Sequence, residues 1–258
     1  MPLRLDTIAR LAGQGGPWAL VMARVLGLSL TAPALATPGL GGRSRLILAA
    51  TLTALLVPTV GRDVVAPPGL LAMAGACLVE VAIGAGLGWS GAMVIAGARH
   101  AGEVVGGQAG LSPAALFDPE AGDGMTPLGH LYGLVALGVF LALDGPTQLV
   151  LALAESFRVV PAGGGSPSPE VTEWAFGQVG RSMALALRAS APPALALTIA
   201  GLALGLLGRT SPSLQLVALS LPARSLIGLA LAALGLVALV ATLGAAWGGV
   251  FPWGWAPG

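Results

Sequence analysis

Four ionisable side chains lie in or at the edge of apolar runs: Arg24, Glu80, Asp144 and Arg188. A charge at mid-membrane is costly and faces protein or water rather than lipid, so each must find a partner or a task. Glu80 has two readings. As half of a hydrogen bond or an ion pair with an arginine it is structural, and as an acid that loads and releases protons it is a carrier group. His100 and His130 are far apart, no acid stands at metal-ligand spacing, and there is no H-E-x-x-H. They read as interfacial or packed histidines. Cys77 is the only cysteine, so no intrachain disulfide and no thiolate metal set can be built. It reads as a small buried core residue. Asp118, Glu120 and Asp123 in "DPEAGDG" lack the alternating ligands and closing glutamate of an EF-hand. No G-x-S-x-G elbow is present. The Gly-rich "GEVVGG" and "GAGLG" follow no strand and fail as dinucleotide fingerprints. No catalytic constellation, cofactor site or metal site emerges, and the expectation is a protein that is not an enzyme.

The elements that must carry these residues are set by composition. The 258-residue chain is 55% hydrophobic and 9% charged, with a mean hydropathy of +0.88, against about 25% charged residues in an ordinary soluble domain. That is too little polar surface for a water-soluble globule, so the chain belongs in a membrane or in a membrane complex. The net charge of +1 gives no case for nucleic acid or an acidic partner. All the basic residues are arginine. Trp247, Trp253 and Trp255 near the C-terminus suit a membrane–water interface. Arg4, Arg10 and "ALA" at Ala34–Ala36 resemble a signal peptide, but Arg24 interrupts the apolar run and Asp6 precedes it, which argues against cleavage.

Apolar segments fall at 17–38, 46–60, 70–98, 128–153, 183–208 and 214–247. A span takes about 20 apolar residues. The second is short and closes at Pro58, and the fifth carries Arg188 and is broken by Pro192–Pro193. Loop arginines give no clear orientation. The expected fold is all-α: a membrane-associated helical protein with about six apolar, partly broken segments that are not all upright in lipid. In the third segment Ala72, Ala76, Glu80, Gly84 and Gly88 recur every four residues and share one helix face. Small residues let helices approach closely, so Glu80 is expected in a helix–helix contact. Gly201, Gly205 and Gly208 form a second small stripe, also read as packing. "GGGSPSP" is a flexible loop, after which Ser168 reads as an N-cap and Pro169 as the first helical residue. The chain is expected to divide into an N-terminal helical block at 1–160, a loop at 161–167 and a C-terminal block at 168–258.

Between two apolar segments lies "GEVVGGQAGLSPAALFDPEAGDG", Gly102–Gly124. Its glycines permit bends and close backbone contact, Pro113 and Pro119 stop a helix from running through, and Leu111, Ala114, Ala115, Leu116 and Phe117 want burial. Non-helical backbone survives at membrane depth only inside protein or a water-filled cavity. Such a segment suits either a partly packed connecting loop or an obstruction seated in a passage. Intramembrane acids and a Pro-broken helix also occur in secondary transporters, so a carrier of a small solute is the alternative reading.

"AGEVVGGQAGLSPAALFDP" resembles the signature of the R/T-type export-gate subunit of bacterial type III secretion, FliR in flagella and SctT in injectisomes. The resemblance runs in order over roughly residues 18–235. It takes in "MARVLGLSLTAPALATPGLGGRSRLILAATLTALLVP", "EVAIGAGLG" as E-x-x-x-G-x-x-x-G, and "LALAESFRVVPAGG" as S-F-x-x-x-P-x-G at Ser156, Phe157, Pro161 and Gly163. The late pattern in "APPALALTIAGLALGLLGRTSPSLQLVALSLPARSLIGL" follows at Pro192, Arg209, Pro212, Pro222 and Gly228. The family implies one copy of this chain in a ring of P-type and Q-type subunits at the bacterial inner membrane, in the flagellar basal body. The first half would be P-type-like and the second Q-type-like, in tilted helical hairpins forming a cone-like pore. Further partners implied are the switch subunit of the export apparatus, unfolded protein substrates and membrane lipid. No cofactor and no nucleic acid are implied.

By the same resemblance, the segment 106–119 is the pore plug, with Gly106, Gly107, Gln108, Gly110, Leu111, Leu116, Phe117, Asp118 and Pro119 as its candidate residues, blocking at rest and hinged on the glycines. Glu80, Gly84, Gly88, Arg24, Arg188 and Arg209 are candidates for helix packing and assembly, the three arginines at subunit contacts or helix ends. Two departures stand out. The family often has a large apolar residue after the Gln, where this chain has Ala109, and often Phe near Pro113. A smaller plug would lean on partner subunits for closure.

Overall fold

The computed structural model describes residues 5–33, 41–60, 64, 66–111, 125–164, 169–210, 216–248 and 250, with backbone alone for 5–14, 170–172, 175, 207–210 and 216–221. All regular structure among these residues is helical. The helices are α1 (Leu5–Thr31), α2 (Gly42–Val60), α3 (Leu70–Gln108), α4 (Pro127–Ala142), α5 (Gly145–Val159), α6 (Pro169–Thr210) and α7 (Leu216–Gly248). Four described helices are long and apolar enough to cross a membrane: Gly42–Val60, Leu70–Gln108, Phe176–Leu206 and Pro222–Gly248. The pair α4 and α5, broken at Leu143–Asp144, makes a fifth if counted as one span.

This distribution differs from the sequence expectation at both ends of the list. The run 46–60 looked short, but its helix starts four residues earlier, at Gly42. The run 183–208 looked broken, but α6 continues through Pro192 and Pro193. Each proline removes one backbone donor, and helices in apolar surroundings tolerate this where neighbours satisfy the freed carbonyls. The first run fares worse. Helix α1 ends at Thr31, so the apolar residues 17–31 supply only part of a span, and the rest of α1 carries Asp6 and Arg10. As expected, α6 begins at Pro169; its expected cap, Ser168, lies outside the described residues.

The chain separates into two compact units. One holds residues 1–92, 144–176 and 251–258, and the other holds 93–143 and 177–250. In the first, α1 packs on α2, and α2 on α5. Leu20, Val21, Val25 and Leu28 of α1 are buried, with Leu56, Leu87, Leu153 and Phe157 from its neighbours. Close approach of α1 and α3 depends on glycine. A Cβ on Gly84 would overlap the Arg24 carbonyl, one on Gly88 would strike Thr31, Ala32 and Leu28, and one on Gly27 would overlap the Val81 carbonyl. The small stripe of α3 therefore seats on α1 over Glu80, Gly84 and Gly88, while Ala72 is exposed and Ala76 half-buried.

In the second unit α4 packs on α7. Tyr132, Ala136 and Phe140 of α4 and Leu239, Leu243 and Trp247 of α7 are buried. The rings of Phe140 and Trp247 meet at 4.8 Å, tilted by 40°. Trp247 is thus a core residue, not an interfacial anchor, because α4 offers an aromatic partner. Trp253 and Trp255 lie outside the described residues. The second glycine stripe is looser than expected: nothing lies within 4 Å of a Cβ on Gly205, and a Cβ on Gly201 meets only Arg224 at 3.8 Å. Large apolar side chains remain exposed along α6 and α7, among them Phe176, Leu187, Leu195, Ile199, Leu234 and Val237. Faces of that kind belong against lipid or against other subunits.

Candidate functional site

In the first unit the charged residues of the apolar runs find each other. Arg24, in the C-terminal half of α1, is fully buried, and its Nε donates to Glu80 Oε2 of α3 at 2.6 Å. Its other two nitrogens reach the end of α5. Nη1 donates to Ser156 Oγ at 3.1 Å, and Nη2 donates to the Val160 carbonyl at 2.9 Å. The guanidinium carbon stands 4.1 Å from the centre of the Phe157 ring, a cation–π distance. The second Glu80 oxygen, Oε1, accepts from the Gly163 amide at 3.0 Å, in the turn after α5. Gly163 has φ 78, a left-handed conformation that suits glycine. A planar guanidinium with donors in a fixed fork serves such a node better than lysine would.

This cluster joins three stretches distant in sequence: Arg24 of α1, the E-x-x-x-G-x-x-x-G of α3, and the S-F-x-x-x-P-x-G after α5. Sequence reading found each stretch but not their convergence. Arg24 was expected at a subunit contact or a helix end; it lies within the C-terminal half of α1 and is enclosed by this chain, because Glu80, Ser156 and Val160 satisfy all three nitrogens. The arrangement fits the ion-pair reading of Glu80, with both carboxylate oxygens occupied by donors.

The second site is the end of α3. Gly106, Gly107 and Gln108 were expected in an irregular segment, and they form the last helical turn. The helix then closes as a Schellman motif. The Leu111 amide donates to the Gly106 carbonyl at 3.0 Å, the Gly110 amide donates to the Gly107 carbonyl at 3.2 Å, and Gly110 sits at φ 76. The termination is held from outside as well. Ser225 Oγ of α7 donates to the Ala109 carbonyl at 2.9 Å, and Thr198 Oγ1 of α6 lies 3.4 Å from Gln108 Oε1.

A Cβ on Gly228 would overlap Ala109, which is fully buried. The small residue after the Gln, a departure from the family pattern, thus matches a close approach of α7 to this turn. Gly102 and Gly106 are close-approach positions too, since a Cβ on them would strike Leu128 and Thr126. Of the bends and close contacts that the sequence allowed these glycines, Gly102 and Gly106 make close contacts.

The chain re-emerges at Met125. Thr126 caps α4, its Oγ1 accepting from the Gly129 amide at 3.1 Å. Glu103 Oε1 of α3 accepts from the Thr126 amide at 2.6 Å and from Thr126 Oγ1 at 3.0 Å. The excursion 112–124 thus leaves and returns at the same end of α3. Leu116, Phe117, Asp118 and Pro119 lie outside the described residues.

The remaining candidates scatter. Arg188 is mid-helix on α6, exposed, and lines a cavity of ≈ 440 Å³ with Arg181, Gln178, Ser182 and Thr242; it is not at a helix end. Arg209 stands in the last turn of α6, where its backbone alone is described. His100 and His130 are both exposed, and Cys77 is half-buried rather than buried. Asp144, at φ 55, occupies the break between α4 and α5 and accepts from Thr147 Oγ1 at 2.9 Å. Among the described residues no cluster of His, Cys, Asp and Glu could hold a metal ion.

A helical, apolar chain with a buried ion-pair node and several helices long enough to span fits a membrane protein. The sequence matches the family of bacterial export proteins, family 1, over residues 16–249. It is 32% identical over 199 residues to the flagellar biosynthetic protein FliR of Pectobacterium carotovorum subsp. carotovorum, covering 75% of this chain and 74% of that protein. It is 32% identical over 200 residues to the FliR of Escherichia coli (strain K12), covering 77% and 75%. It is 29% identical over 199 residues to that of Caulobacter vibrioides, covering 77% and 79%. The chain belongs to this export family.

Proposed function

We propose that this chain is a non-enzymatic subunit of the protein export gate of a bacterial flagellar type III secretion system, held in the inner membrane at the basal body. It lines the passage for unfolded export substrates, and the segment 106–119 obstructs that passage at rest. Its likeness over most of its length to flagellar biosynthetic proteins supports the system. The observation that supports the obstructing role is that the last described residues before the segment, Gly110 and Leu111, and the first after it, Thr126, both stand at the end of α3, between two strongly apolar helices.

The subunit acts as one copy among P-type and Q-type gate subunits, with the switch subunit of the export apparatus as a further neighbour. Its N-terminal block 1–160 takes the P-type-like place and its block 168–258 the Q-type-like place, joined by 161–167. The exposed apolar side chains of α6 and α7 offer the surface for those neighbours and for lipid. The Arg24–Glu80 node, with Gly84 and Gly88, fixes the helices that must present the segment. No role in substrate chemistry falls to any residue, and driving energy comes from elsewhere.

Co-purification from membranes with mass measurement tests the assignment. The chain should be recovered with two kinds of small helical membrane protein and should be unstable alone. Recovery as a stable lone chain that takes up a small solute saturably would overturn it.

A further inference from the structure

The charge on α6 and α7 is of one sign. From 177 to 250 the chain carries Arg181, Arg188, Arg209 and Arg224 and no acid. Among its described residues the second unit holds a single carboxylate, Glu103, whose Oε1 accepts from Thr126. Two of the arginines meet at the cavity of ≈ 440 Å³ that α3, α6 and α7 enclose within this unit. Arg181 and Arg188 stand about two helical turns apart, which returns them to one face of α6. Gly97 brings α3 in as the third wall, because a Cβ there would strike the Ser182 carbonyl. The apolar part of the wall comes from Met93, Val94, Leu185 and Ala245.

The polar groups of this cavity are not used up by the chain. Arg188 makes no hydrogen bond or ion pair among the described residues, and neither does the Ser182 hydroxyl, although Ser182 is only 6% exposed. A buried hydroxyl without a partner is costly and uncommon. The cavity also has a defined depth. Gln178 is near the start of the span Phe176–Leu206, and Ala245 is near the end of the span Pro222–Gly248. Side chains on a helix lean toward its N-terminus and long arginines snorkel, so both guanidinium groups reach toward that end of the spans, where headgroups meet hydrocarbon.

We infer that this cavity binds an anionic phospholipid. Arg188 and Arg181 hold the phosphodiester, Ser182 adds a donor, and the glycerol and upper acyl chain rest on Met93, Leu185 and Ala245. Guanidinium takes phosphate oxygens in pairs, and basic pockets between membrane helices take anionic headgroups. The apolar wall favours a lipid over a free phosphate or a partner's carboxylate, since neither of those would use it. Arg181 has a further contact within the chain, so Arg188 is the group on which the test turns. The site does not rest on the gate reading.

The test uses the assembled complex, reconstituted in vesicles of phosphatidylglycerol and phosphatidylcholine in equal parts, extracted in mild detergent and weighed intact by native mass spectrometry. The parent complex should retain phosphatidylglycerol. Arg188→Gln should hold one such molecule ~10-fold more weakly, the size expected from losing charge-assisted hydrogen bonds. Arg188→Lys keeps the charge without the planar fork and should fall between. Ala245→Leu fills the cavity from α7 with no change of charge and should lose the same molecule. Arg188 and Ala245 are both exposed, so neither change disturbs the core. Loss of the lipid in both Arg188→Gln and Ala245→Leu supports the inference. Its displacement by inorganic phosphate at the lipid's own concentration makes this a free-anion site and overturns the lipid assignment. Unchanged retention in both variants overturns the inference, and so does release of a neighbouring subunit by Arg188→Gln without loss of lipid, which assigns the arginine to a partner's carboxylate.

Discussion

Arg24 Nε lies 2.6 Å from Glu80 Oε2, and both side chains are almost wholly withdrawn from solvent. The pair is completed by Ser156, Val160 and Gly163, so neither charge is left with an empty valence. Burial of two ions costs several kcal/mol each and is offset only when the remaining donors and acceptors are met. Here they are met by the backbone and side chains that follow α5. The node thereby dictates how α1, α3 and the end of α5 converge.

Removing one member strands the other. Glu80→Ala should destabilise the first unit by about 3–5 kcal/mol. In practice this would be read as a fall in assembled complex per unit of membrane. The double variant Arg24→Met/Glu80→Met should recover part of that loss, since apolar replacement of a buried pair is often tolerated. If Glu80→Ala assembled normally and changed conductance instead, the acid would be a carrier group.

Glycine substitutions separate packing from propensity. Gly84→Ala places a methyl on the Arg24 carbonyl and should cost about 1–3 kcal/mol, as overpacking does. Gly86→Ala, two positions on, meets nothing within 4 Å and should be neutral or stabilising by up to about 1 kcal/mol, the helix preference for alanine. Thermal unfolding of the detergent-solubilised complex would show the contrast. Equal effects at both positions would mean that α1 and α3 do not meet as described.

Trp247→Ala removes a buried indole from against Phe140. The expected cost is about 3–5 kcal/mol, seen as early protease cleavage in the second unit. An interfacial tryptophan would show little change.

Much of this was legible beforehand. The four-residue period of α3 announced a small face with one acid on it, and that face meets α1 from Glu80 to Gly88. Pro169 marked the start of α6 by its fixed φ. The partner of Glu80 was not legible, because fifty-six positions separate it from Arg24 and no local pattern encodes that distance. The role of Gly102 and Gly106 was half legible: glycine announces either a bend or a close approach, and only the position of Thr126 and Leu128 decides between them. Pro192 and Pro193 misled, because a proline pair forbids two hydrogen bonds without forbidding the helix on either side. Thr126 and Glu103 passed unnoticed. A Thr-Pro pair before an apolar run is a cap signal, and with Gly at N3 it leaves its second half to be filled from elsewhere.

Permeability of the assembled gate tests the obstruction directly. Residues 112–119 would be deleted, leaving Gly110, Leu111 and Thr126 in place, and ion or dye flux across membranes holding the intact complex would be compared with that of the parent. Flux should rise sharply while the subunit content of the complex stays the same; an assembled deletion complex as tight as the parent would contradict the account.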